Sequence, residues 1–303
     1  INGSLEVYQK KTNDLLLTQP LQTNTGFANF TSNVGKLENK GVEVTLNADV
    51  IRGRKADDFN WNVNFVMGYN KQKVTQLYGG YQVLPSDVSI RVGQPVGVLF
   101  TQKYAGVNPA TGRPMWYDTL GNLTYQTALR DRAVIGATRL PEFQGGLTNR
   151  FSYKGFSLEV FFNYEYGRIA QDGQVVFLSE NLARINTLQY FYDNRWTTPG
   201  QITDVPRPNA NGAETKGSAA QSGNRTWFKA DFIRLKTLTL AYDMGASVLG
   251  ANKLGITNAR VYVQGTNLYT YSDTYGYDIE FVGTATGIIP QARIITAGVQ
   301  VSF

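Results

Sequence analysis

With 303 residues, 31 glycines, 18 tyrosines, 16 phenylalanines and only 17% charged side chains, the chain has the composition of many short strands joined by turns. A formal net charge of +6, spread along the sequence, is too dilute for a nucleic-acid footprint. Cysteine and histidine are both absent, which excludes disulfides, thiolate and imidazole metal ligands, and Ser–His or Cys–His nucleophile pairs, so no enzyme is expected.

The elements follow from alternation, because successive side chains of a strand point to opposite faces. Ile1-Asn2-Gly3-Ser4 already reads as strand, with no initiator Met or signal peptide ahead of it, so a piece of a longer protein is expected. Segment 3–14 is the first predicted strand. In 41–51, Val42, Val44, Leu46, Ala48 and Val50 oppose Glu43, Thr45, Asn47 and Asp49. In 59–71, Trp61, Val63, Phe65, Met67 and Tyr69 oppose Asn60, Asn62, Asn64 and Asn70. Segments 144–153 and 156–167 come next, then 229–243, 258–270 and 292–303. The last alternates Ile295, Ala297, Val299 and Val301 with small or polar residues and stops on Phe303.

A strand of about ten residues, tilted, reaches across a band roughly 25 Å tall. No run approaches the roughly 18–20 apolar residues of a membrane helix. The pattern therefore predicts a transmembrane antiparallel β-barrel. Loop lengths set its direction, since bacterial barrels keep short turns in the periplasm and long loops outside. With the C-terminus in the periplasm, connections 52–58, 154–155 and 244–257 fall inside, and 15–40, 72–143, 168–228 and 271–291 fall outside. Segment 96–106 also looks strand-like, but a ninth crossing breaks this parity. It is expected as a hairpin within the large outer loop.

Several stretches then resemble one family in its own order. They are Asn33-Val-Gly-Lys-Leu-Glu-Asn-Lys-Gly41, Ile90-Arg-Val-Gly-Gln-Pro-Val-Gly97 leading to Lys103-Tyr-Ala-Gly-Val-Asn-Pro109, and Pro141-Glu-Phe-Gln-Gly-Gly-Leu-Thr-Asn-Arg-Phe-Ser-Tyr-Lys-Gly-Phe156. Asn194-Arg-Trp-Thr-Thr-Pro199 with Val205-Pro-Arg-Pro208, Phe232-Ile-Arg-Leu-Lys-Thr-Leu-Thr-Leu-Ala-Tyr242 and Gly265-Thr-Asn-Leu-Tyr269 complete the set. Together they resemble the late barrel of SusC-like TonB-dependent transporters of the Bacteroidetes outer membrane. The resemblance implies a 22-stranded barrel of which residues 1–303 supply the last eight strands, as one part of one domain. It further implies a lumenal plug, TonB engaged through that missing plug region, a SusD-like surface lipoprotein and a glycan or peptide substrate. Neither cofactor nor metal is expected. The family's calcium-loop-like stretch survives only as Asp118-Thr-Leu-Gly-Asn122, too poor in carboxylates for a hard cation.

Candidate site residues divide by location. Trp116, Tyr117, Trp196, Tyr275 and Tyr277 lie in the outer loops, where flat rings with a polar edge suit sugars, peptides or a lid. Packing within the loops is the competing role. Glu43, Asp49, Asn60, Asn62, Asn64 and Glu159 fall on the polar face, against a plug or along a solute path. Asp278-Ile-Glu280 reads as a solvated loop by default, or as a contact for a cation or a basic substrate. Phe303 is expected to anchor the terminal strand. Two rivals remain at this point: a standalone eight-stranded barrel serving as adhesin or anchor, and a soluble β-rich carbohydrate-binding module. The first requires strand 3–14 to pair with 292–303, and the second requires Val42, Val44, Leu46, Trp61, Val63 and Phe65 to be buried.

Overall fold

The computed structural model describes residues 1–21, 23–55, 57–171, 186–208, 223–245, 255–272, 278–280 and 289–302. Its strands are β1 (Asn2–Pro20), β2 (Asn29–Ile51), β3 (Asn60–Leu77), β4 (Val83–Leu84), β5 (Asp87–Arg91) and β6 (Val98–Gln102). Then come β7 (Tyr104–Val107), β8 (Pro114–Tyr117), β9 (Leu123–Thr124), β10 (Arg132–Thr138), β11 (Phe143–Tyr153) and β12 (Phe156–Tyr166). The last are β13 (Ile169–Gln171), β14 (Trp227–Lys229), β15 (Phe232–Gly245), β16 (Asn258–Tyr271) and β17 (Ile294–Ser302). Eight of them form one antiparallel meander in the order β1-β2-β3-β11-β12-β15-β16-β17. The sheet does not close on itself. Leu5 pairs across to Val44 and Val299 to Val261, and among the described residues β1 and β17 do not pair with each other. A closed eight-stranded barrel is therefore not what these strands form.

Register puts the apolar residues of all eight strands on one face. Leu46, Phe65, Leu147 and Phe162 form a central row across four strands, and Leu158, Leu240, Val263 and Ala297 another. None of Val42, Val44, Leu46, Trp61, Val63 and Phe65 is buried, Leu240 is 52% exposed and Val299 67%. A soluble module would bury this face, so that reading fails. An uncovered apolar face opposite a polar one is the pattern of a barrel wall in lipid.

Rings border the belt at both ends. Towards the short turns Trp61 stacks on Phe151 (5.8 Å) and Phe156 lies tilted against Tyr242 (4.5 Å). Towards the long loops Phe143 lies 4.8 Å from Tyr69 and 6.4 Å from Tyr166. From Trp61 to Tyr69 the strand runs about 26 Å, which after tilt fits the interfacial girdles of an outer-membrane barrel. Asn149 is the one amide within this belt on β11, and its Oδ1 accepts a 3.1 Å hydrogen bond from Trp61 Nε1. The short turn Lys154-Gly155 has φ of 48° and 80°, the double positive φ that a two-residue hairpin of matching twist requires.

Two expectations need correction. Residues 15–40 are not an outer loop: β1 and β2 remain paired from Leu15–Gly35 to Pro20–Asn29, and only a short connection joins them. Above the apolar belt no lipid faces these strands, so strict alternation stops while backbone pairing continues. Segment 96–106 stays outside the large sheet as expected, yet it is no hairpin. Its strand β6 pairs with β10, and β7 pairs with β8.

Among the described residues the buried clusters lie towards the long loops, and the wall itself buries only small side chains such as Ala241 and Ala259. Leu37, Val74, Leu77 and Leu84 form one cluster, Phe191 and Val205 a second, and Ala230, Phe232 and Ile279 a third. The wall has lipid where a soluble sheet has a core. The folded loops must supply their own.

Candidate functional site

The polar face is a lattice running across the sheet. One row joins Asp49, Asn62, Arg150, Glu159, Thr239, Gln264 and Thr296 as successive cross-strand partners. Asn62 Nδ2 donates to Asp49 Oδ1 (2.9 Å) and Asn47 Oδ1 (3.1 Å). Arg150 Nε meets Glu159 Oε2 at 2.7 Å, and Arg260 Nη1 meets Asp243 Oδ2 at 3.3 Å. Between these two ion pairs lies an open basin of about 560 Å³ near the short-turn end, also lined by Asn62, Ser152 and Gln264.

The expected polar-face residues do not act alike. Asp49, Asn62 and Glu159 belong to this row. Asn64 sits between Asn47 and Thr148, and Glu43 stands exposed opposite Glu6. Asn60 ties the β2–β3 turn, accepting from Gly53 N at 2.9 Å and donating to Asp58 O at 3.0 Å.

At the long-loop end a charged clamp closes on this wall. Arg234 faces inward beside Asn163. Its Nη2 lies 2.5 Å from Asp278 Oδ1 and its Nη1 3.1 Å from Glu280 Oε2. Lys236 Nζ reaches Glu280 Oε2 at 3.0 Å, and Asn163 Nδ2 donates to Glu280 Oε1 at 2.9 Å. Asp278 Oδ2 accepts from the Gln291 amide at 2.8 Å, which ties residues 278–280 to the residues just before β17. Buried Arg168 donates to the Ile279 carbonyl and pairs with Glu165 at 2.6 Å. Burial works against charge on Asp278 and Glu280. The partners outweigh it: Arg234 and two backbone amides at Asp278, Asn163 and the cations at Glu280. Both carboxyls are held below their ordinary values.

Sequence reasoning gave Asp278 and Glu280 as a solvated loop or a contact for a cation or basic substrate, and did not single out Arg234, Lys236 or Arg168. Strict alternation puts Arg234 and Lys236 on the face of Leu238 and Leu240, in lipid. A bulge at Lys236 breaks register with both neighbouring strands, so the parity reverses above it and the cations turn inward. Two cations at positions assigned to lipid were the available signal.

The outer aromatic residues are mostly engaged in packing. Trp116 is 0% exposed, edge-on to Tyr104 at 5.8 Å, and offers no surface to a lid or solute. Tyr117 is half-buried beneath Lys103 Nζ at 5.0 Å. Trp196 latches two segments, its Nε1 donating to Pro109 O at 2.9 Å. Its ring covers Gly112, where φ is +71° and a Cβ would approach to 2.4 Å, so no other residue fits there. Asp118 spends both oxygens on its own turn, accepting from the amides of Leu120 (2.9 Å) and Asn122 (2.8 Å) and from the Asn122 side chain. Tyr275, Tyr277 and Phe303 lie outside the described residues.

The chain's relatives agree with this wall. Residues 1–174 match the family model described as TonB dependent receptor-like, beta-barrel. TonB-dependent receptor P26 of Formosa agariphila is 30% identical over 99% of the chain, and TonB-dependent receptor SusC of Bacteroides thetaiotaomicron 26% over 100%. The chain spans 32% and 30% of their lengths. The structure of the RagAB peptide transporter superposes with a TM-score of 0.85 at 29% identity, covering 99% of this chain and 33% of that one. The chain belongs to the TonB-dependent receptor β-barrel family, and its place is the outer membrane of a Bacteroidetes-type bacterium.

Proposed function

We propose that the chain forms the C-terminal wall of a TonB-dependent importer that carries oligosaccharides or peptides across the outer membrane with a SusD-like surface lipoprotein. The observation that carries this reading is the eight-stranded sheet with an uncovered apolar face, a hydrogen-bonded polar face and two edges that no strand pairs with among the described residues. Such edges cannot face lipid and call for further strands of a wider barrel. The lattice of Asp49, Asn62, Arg150 and Glu159 presents donors and acceptors that a lumenal plug can satisfy. The basin between the two ion pairs leaves room for a plug segment or for passing solute. Transport is the role this reading gives such a wall.

The test uses the full-length parent in its host. Uptake of labelled oligosaccharide and of labelled peptide is measured with and without a proton uncoupler, and the surface lipoprotein is sought by pull-down. Energy-dependent uptake of one solute class with a co-purifying lipoprotein is expected. Uptake indifferent to the uncoupler, or to loss of the parent, would overturn the proposal.

A further inference from the structure

The apolar face ends, towards the long loops, at the row Val7–Val42–Tyr69–Phe143–Tyr166. One alternation step above it, the same face carries Gln9–Lys40–Lys71, and one further step Lys11–Glu38–Lys73. Lys40 stands directly across from Lys71, a like-charge pairing that costs stability in a plain sheet. Lys40 and Lys73 both reach the same carboxylate, Glu38, at 3.2 and 3.4 Å, and remain more than half exposed. Beside them β3 rises past the end of β11, where the Asn70 amide turns to the Glu142 carbonyl (3.1 Å) and the Val74 amide to that of Gln94 (2.8 Å). The notch so formed, about 550 Å³, is lined by Lys40, Lys71 and Lys73 above Tyr69 and flanked by Leu140 and Pro141. Counting Lys11 above it and both carboxylates, Glu38 and Glu142, cations exceed anions four to two.

From this placement we infer a binding site for the phosphate headgroup of an outer-leaflet lipid, gripped by Lys40, Lys71 and Lys73 with its acyl chains along Tyr69 and Phe143. The inference rests on the outward, long-loop orientation of this face and not on what the barrel transports. Three features select the ligand. The cations stand at the height where the apolar belt gives way to water, so what they meet there is a headgroup. The like-charge row is relieved by an anion between its members. The notch has apolar walls beneath a basic rim, which suits an amphiphile better than a free ion.

The experiment uses the purified full-length parent in detergent, with native mass spectrometry reporting retained lipid. Dioleoyl phosphatidic acid is the probe and dioleoyl phosphatidylcholine the zwitterionic control. The parent is expected to retain phosphatidic acid selectively, and the triple variant Lys40→Gln/Lys71→Gln/Lys73→Gln to lose affinity by on the order of a hundredfold, about fivefold per lysine. The Lys→Arg triple should keep it. If the Gln triple fails to fold, Lys71→Gln alone carries the test, since Lys71 has no ion pair among the described residues, and about a fivefold loss is expected. Equal retention of both lipids, or variants that bind as the parent does, would refute the site. Displacement of the lipid by millimolar inorganic phosphate would reassign it to a free anion.

Discussion

Arg234 shows how much one side chain can hold. Both it and Asp278 are 4% exposed, so removing the cation leaves a buried carboxylate without its partner. Arg234→Met is expected to weaken the anchorage of the β16–β17 connection by about 3–5 kcal/mol. Faster amide exchange at Ile279, Glu280 and Gln291 is the measure. The pH dependence follows from the lowered Asp278 and Glu280 carboxyls. A depressed carboxyl stabilises the fold above its unfolded value, near 4, and that contribution disappears as pH falls through the lower folded value. Protection of the Gln291 amide, corrected for intrinsic exchange, should therefore be flat from neutral pH to about 5 and collapse only well below 4. Loss of protection near pH 6 would contradict the clamp. Trp116→Ala should cost the outer region about 3–5 kcal/mol, read as a lower melting temperature for the extracellular part and susceptibility to protease between β7 and β9. These roles were unevenly legible in the sequence. An aromatic residue in a loop suits a binding surface and a loop core alike, and only burial separates Trp116 from the half-buried Trp196.

For whole strands, legibility tracks the solvent. β11 and β12 match the sequence reading to within one residue, because lipid on one side and a polar lumen on the other enforce alternation along their whole length. β1 and β2 run much further than the pattern suggested, because no lipid lies above the girdle to enforce alternation. The bulge in β15 escaped notice because a parity reversal looks, in one dimension, like two misplaced cations. The two faces should answer differently to the same change. Leu147 sits in the central apolar row and Thr148 beside it on the polar face. Leu147→Arg is expected to cost about 2–4 kcal/mol and Thr148→Arg at most about 1 kcal/mol, compared by urea titration of the full-length parent in bilayers. Equal costs would mean that the lipid face has been assigned wrongly.

For the molecule as a whole, the decisive feature is the pair of open edges. Residues 1–303 produced alone are expected not to give a monomeric, heat-modifiable barrel in vesicles, because β1 and β17 would each expose a row of unpaired backbone groups to lipid. The migration of unheated samples in denaturing gels is the measure, and a compact fast-migrating band would overturn the expectation. A wall whose large apolar side chains face lipid also leaves the buried tryptophan, Trp116, to the folded loops. That distribution gives the four tryptophans an optical use. Trp116, Trp196 and Trp227 stand on the long-loop side, and Trp61 alone belongs to the girdle at the opposite interface, pinned there by Asn149. Acyl chains brominated near the headgroup should quench only the Trp61 share of the emission. Moving the bromines towards the chain ends would read that ring's depth in ångströms, so the protein carries its own gauge of bilayer thickness.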